Sequence, residues 1–223
     1  MGTLAQVIAA AAAFVGTHLA MSHPLRAPLV SRVGEQRFLG LYSLVSFATL
    51  GWLIWAMRRM GPEEFLWAAP EWAWLAASII MLIASILLVG SLIGNPALPG
   101  VPPRAREPRG VFAITRHPMM WGFALWSAAH ALVWPQPSVL VLCLAIALLA
   151  LVGAAGQDAK KSRLQPDFWP EWRRKTGYVP FTGPTPVRAM WPGWGVLLGG
   201  VALWLLATWL HPLLSAPPVG VWS

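Results

Sequence analysis

Charge is what this sequence has least of. Only 11% of its 223 residues are Asp, Glu, Lys or Arg, against about a quarter in ordinary soluble domains. Eight are acidic, and all eight are expected in the segments between long apolar runs. A proton-driven transporter, which normally needs an acidic relay inside the bilayer, is therefore disfavoured. So is a zinc peptidase, because the chain has no HExxH; it also lacks a Walker loop and a GxGxxG following a strand. Cysteine occurs once, as Cys143 in an apolar run, which removes any intrachain disulfide and any thiolate metal cluster.

What is present is apolar: 57% of the chain is hydrophobic. Six runs approach or exceed the ~20 residues that cross a bilayer as a helix. They cover 3–22, 39–57, 72–93, 111–134, 137–155 and 194–211. The fold class expected is an all-α, polytopic membrane helix bundle, forming one domain over 1–223. The first run has no basic leader and is followed by "SHPLRAPLV", so it is expected to be a retained helix. "PQP" between runs four and five reads as a tight hairpin. Gly195 and Gly199 have the spacing that lets helix backbones approach closely.

The net charge of +8 invites a nucleic-acid reading, which the placement of the cations removes. Arg26, Arg32 and Arg37 follow run one; Arg104, Arg106, Arg109 and Arg116 precede or open run four. Lys160, Lys161, Arg163, Arg173, Arg174, Lys175 and Arg188 lie between runs five and six. Only Arg58 and Arg59 fall on the other side. By the positive-inside rule the large group faces the cytoplasm and both termini the opposite side. The partner implied is lipid, not nucleic acid. Tryptophans 67, 72, 134, 191 and 209 sit near run ends, where aromatic belts form.

Five histidines remain to be placed. His23 and His211 each precede a proline at a run end and suit an interfacial position. Polar groups within spans are functional candidates by default, which singles out His18, His117 and His130. Arg116-His117-Pro118 opens run four, where it offers either an interfacial anchor or an anion and cofactor contact. His130 lies thirteen residues on, about 20 Å along a helix and roughly 140° around it. The two cannot ligate one metal ion from an unbroken helix. His130 has Phe123, Trp126 and Ser127 on its face, so it reads equally as a haem ligand or as a histidine satisfied by neighbours. Imidazoles without carboxylates suit haem better than a hard cation.

Three segments together carry a resemblance: "THLAMSHPLRAPLVSRVGEQRFLGLYSLVS" (17–46), "GVFAITRHPMMWGFALWSAAHAL" (110–132) and "FWPEWRRKTGYVPF" (168–181). They resemble the NnrU family of bacterial membrane proteins, named from denitrification loci and related to plant 15-cis-zeta-carotene isomerase. The resemblance implies haem b, with His18 and His130 as the ligand pair. It further implies either isomerisation of an apolar polyene or a part in nitrogen-oxide metabolism. This chain has Ser127 where the isomerase has a cysteine. Depth in the bilayer would instead pair His18 with His117, and both partners stay open. "RHPMMWG" and "WRRKTGYVPF" also resemble the isoprenylcysteine carboxyl methyltransferase group, which implies an S-adenosylmethionine site at Arg116 and His117. A third expectation is a non-enzymatic haem-binding maturation or sensing subunit.

Overall fold

The structure is a computed structural model that describes residues 2–98, 107–214 and 219–222. Arg104 and Arg106 lie outside the described residues. Among those described, the chain is all helical, with no strand. The helices are α1 (Leu4–Ser22), α2 (Arg26–Val33), α3 (Glu35–Arg58), α4 (Glu71–Ser91) and α5 (Val111–Ile114). They continue as α6 (Pro118–Val133), α7 (Pro137–Leu164), α8 (Trp169–Lys175) and α9 (Trp194–Leu210). Four of them, α1, α3, α4 and α7, are long and apolar enough to cross a membrane; α9 is apolar but shorter.

Local chemistry sets several boundaries. Thr3 and Gln6 form a reciprocal capping box that starts α1. Gly34, at φ 82, turns the chain from α2 into α3; a side chain there would be strained. The "PQP" hairpin forms as expected: α6 ends at Val133, Gln136 caps α7, and Pro137 occupies its first turn.

Two expected runs are corrected. Run four is not one helix, because α5 stops at Ile114 and α6 starts at Pro118. Proline lacks an N–H and disfavours helix in the residue before it. Accordingly Thr115 is extended and His117 sits outside helical geometry. Run five, expected to end at 155, continues to Leu164. At 28 residues it spans about 42 Å, well beyond the ~30 Å of bilayer hydrocarbon. The expectation that every acidic residue lies between helices fails with it. Glu35, Glu71, Asp158 and Glu171 are helical, and Asp158 is buried.

The helices pack in a row, α3 on α1, α1 on α7, α7 on α6, α6 on α4, and α4 on α9. Small residues bring the partners close. Val7, Ala10 and Ala11 of α1 meet Leu53 and Ala56 of α3 and Ala145 of α7. A Cβ on Gly122 would lie 3.1 Å from the Ala84 carbonyl oxygen, and one on Gly200 would lie 2.8 Å from the Ile86 Cα. Gly200 and Gly199 therefore form the α9 contact, whereas Gly195 has open space around it.

Candidate functional site

The break between α5 and α6 frees backbone groups that the segment after α8 satisfies. The Arg116 N–H donates to the Gly177 carbonyl at 2.9 Å, and the Phe181 N–H donates to the Ile114 carbonyl at 2.9 Å. Phe181 adopts φ 66 to do so, a conformation uncommon for a bulky residue. The Thr115 hydroxyl and the Trp121 indole both donate to the Tyr178 carbonyl, at 2.7 and 2.9 Å.

This docking closes a buried clasp around Asp158, a residue the sequence did not single out. Arg116 donates from Nε and Nη2 to Asp158 Oδ2 at 2.8 and 2.6 Å, and from Nη1 to the Thr176 carbonyl at 3.0 Å. His117 Nε2 lies 3.0 Å from Asp158 Oδ1, and the Trp169 indole donates to the same oxygen at 3.2 Å. The carboxylate can only accept, so Nε2 carries a hydrogen. Arg116, His117 and Asp158 are buried, and Trp169 is wholly enclosed. The Arg116 guanidinium lies over the Tyr178 ring, 5.4 Å from its centre. Burial, assisted by the Asp158 charge, holds the Tyr178 hydroxyl above its ordinary pKa, so it stays a donor to the Leu151 carbonyl.

Beside the clasp lies a groove of about 730 Å³, walled by α1, α3, α6 and α7. Ligand pockets commonly occupy about 300–1,000 Å³. Its walls are mainly apolar, from Phe14, Phe38, Leu39, Leu50, Phe123, Leu142, Ile146 and Leu149. His18 is among its lining residues. Its Nδ1 is 2.9 Å from the Phe14 carbonyl, which fixes the hydrogen on Nδ1 and leaves the Nε2 lone pair available. Phe14 and Tyr42 meet the imidazole edge-on. Arg26, Lys160 and Lys161 also line the groove, with Glu35 as the one acidic residue among them. Glu35 pairs with Arg26 at 2.6 Å, and Lys161 reaches the Pro96 carbonyl at 3.3 Å. Lys160 has no ion pair among the described residues.

His130 is not among the residues lining this groove. It sits near the C-terminal end of α6, stacked on Trp126 at 4.0 Å, with its Nδ1 on the Trp126 carbonyl. Its ring is 6.3 Å from His211, near the end of α9 and nearly parallel to it. Ser127, on the same face, donates instead to the Phe123 carbonyl. The structure thus distributes the sequence candidates over three places: His18 in the groove, Arg116 and His117 in the clasp, His130 beside His211. Among the described residues no three His, Cys, Asp or Glu side chains form a metal-sized cluster.

A haem fits what surrounds His18. One imidazole with its far nitrogen fixed, aromatic neighbours, apolar walls and nearby cations are groups of the kind that hold a haem. The family model described as NnrU protein matches residues 6–218. No curated protein and no solved structure matches the chain.

Proposed function

This chain belongs to the NnrU family, and from that premise we propose a six-span bacterial inner-membrane protein whose groove binds haem b through His18. The observation that carries the reading is His18 itself: an imidazole with Nδ1 tied to Phe14, placed in a mainly apolar groove that also presents Lys160, which has no ion pair among the described residues. In this reading α6 and α9 complete the six spans. The ends of α1 and α7, with the start of α3, face the cytoplasm, as their Arg and Lys content favours. Both termini then face the periplasm.

Haem bound there would supply a redox-active, Lewis-acidic iron. The protein's part is to hold and shield it. Phe14 and Tyr42 fix the imidazole plane, the apolar walls would exclude water, and Lys160 and Lys161 would supply positive charge for the propionates. The function that follows is isomerisation of an apolar polyene such as zeta-carotene, or a role in nitrogen-oxide metabolism. A non-enzymatic maturation or sensing subunit would use the same site. The methyltransferase reading has less support, because the Arg116 guanidinium and His117 Nε2 are already engaged by Asp158 and Thr176.

Absorption spectroscopy of the purified protein tests this. A Soret band is expected in the wild type and in His130→Ala, and its loss in His18→Ala. A wild-type protein that shows no Soret band after reconstitution with haem would overturn the reading. Saturable S-adenosylmethionine binding by such a protein would favour the methyltransferase.

A further inference from the structure

The groove is long as well as apolar, and its two ends differ in charge. On α7 its lining residues include Leu142, Ile146, Leu149, Gly153, Gln157 and Lys160. Steps of three and four keep these on one helical face, so they form a continuous track. From Gln157 down to Leu142 the track runs about 22 Å at 1.5 Å per residue. One leaflet of a ~30 Å hydrocarbon core is about 15 Å deep, so a whole acyl chain fits along it.

The same helix fixes the depth of the charged end. In the six-span reading α7 enters the hydrocarbon at Pro137, its first residue. About 30 Å of rise brings it to Gln157, at the far edge of the core. Lys160 and Lys161 lie a turn further on, at the level of lipid phosphates. Charge there is unbalanced. Arg26, Lys160 and Lys161 share the groove with one acid, Glu35, which Arg26 already holds at 2.6 Å. Lys160 lies close enough to feel the charges of Arg26, Lys161 and Glu35, yet has no ion pair among the described residues. All three cations are half-buried, as befits the walls of an open groove. Basic pockets between spanning helices on the cytoplasmic side are where acidic lipid head groups bind.

We propose that the groove seats one acidic phospholipid of the surrounding bilayer, its phosphate at Lys160 and Lys161 and one acyl chain along the α7 track. The second chain stays among the bulk lipid. A phosphate oxygen accepting from an ammonium makes a charge-assisted hydrogen bond, stronger than a neutral one. A zwitterionic lipid brings a cation of its own to this end and gains less. Haem propionates would draw on the same two lysines, so lipid and haem would compete for them. The proposal rests on the membrane placement read above and not on haem.

Native mass spectrometry of the full chain tests it, without haem, on protein released from nanodiscs of equal phosphatidylglycerol and phosphatidylcholine. The wild type is expected to keep one phosphatidylglycerol, with a preference of about fivefold or more over phosphatidylcholine. Lys160→Gln with Lys161→Gln should abolish that preference. Gly153 lines the track and has open space around it, so Gly153→Phe fills the groove and leaves every cation in place. It should lower retention of phosphatidylglycerol about fivefold or more, an effect of the size of one lysine near an anionic surface. Arg32→Gln with Arg37→Gln removes equal charge from the same end of the bundle without altering a lining residue, and should change nothing. Equal retention of the two lipids by the wild type would overturn the proposal, as would phosphatidylglycerol kept by Gly153→Phe. An equal loss in Arg32→Gln with Arg37→Gln would also overturn it, by showing general surface attraction. Oleate added at the same concentration should not displace the lipid; displacement would put a free fatty acid in the groove and overturn the phospholipid. Should Gly153→Phe not fold, the two charge pairs decide alone. None of these readouts involves haem, so their failure leaves the haem reading standing, and a missing Soret band leaves the lipid.

Discussion

Two polar regions lie side by side where α7 emerges from the bundle, and they are built in opposite ways. In the clasp, the Asp158 carboxylate receives Arg116, His117 and Trp169, and its charge is balanced within a few ångströms. In the groove, Lys160 has no ion pair among the described residues, Lys161 has only a carbonyl, and His18 keeps a free nitrogen. Both regions draw on the same end of α7. A region whose charges are matched internally is built to hold the fold, because removing one member leaves an uncompensated buried charge. Cations and lone pairs left unmatched beside apolar walls are what the proposed ligand site rests on. Their cost is small in the free protein, since Lys160 and Lys161 are only partly buried.

Breaking the clasp should have the largest effect. Asp158→Ala leaves the Arg116 guanidinium buried without its counter-ion and is expected to cost about 3–5 kcal/mol. Thermal or denaturant unfolding in detergent would measure it, and a loss below about 1 kcal/mol would make the clasp incidental. Trp169→Phe sharpens the point by deleting one donor and part of a wholly enclosed ring, for an expected cost of about 1–3 kcal/mol.

The groove should behave in the reverse sense. Lys160→Ala with Lys161→Ala should change stability by no more than about 0.5 kcal/mol. The same pair should weaken binding of haem several-fold, as followed by spectroscopic titration. A comparable loss of stability would erase the distinction between the two regions. The smallest effect is expected from His23, which packs against Gly156 of α7 at the groove. Burial, then the nearby Lys160 and Arg163, lower its pKa from the ordinary 6.5. A lowered folded value means that the unfolded chain binds the proton more readily, so stability should fall as pH drops below about 6.5. His23→Gln should flatten that slope in unfolding measurements between pH 7 and pH 5.

How much of this could be read from the sequence depends on the range of the interaction. α1, α3, α4 and the α6–α7 hairpin follow from apolar runs and "PQP", which are local signals. The break at Thr115–His117 was marked by Pro118, but the apolar stretches on either side of it read as one run and masked it. The last turns of α7 were hidden for the opposite reason. Asp158, Lys160, Lys161 and Arg163 end the apolar pattern, while the backbone goes on hydrogen-bonding to Leu164. The clasp depends on pairing Arg116 with a residue 42 positions away, and no periodicity reports that. His18 was recognisable as a polar group in an apolar helix. That Lys160 and Lys161 share its groove was not, because they read as loop charges set by membrane topology.

The order α3–α1–α7–α6–α4–α9 places each of these helices against the next in a row. Among the described residues, the groove is walled by α1, α3, α6 and α7 of this row. In the membrane reading proposed above, a groove walled by spanning helices would open sideways among the acyl chains. A ligand of the proposed site would then reach His18 by diffusing in the plane of the membrane. Its local concentration is set by how strongly it partitions into lipid, more than by its solubility in water. For an apolar molecule the bilayer itself is the reservoir, and the protein needs neither a channel nor a lid to gather it.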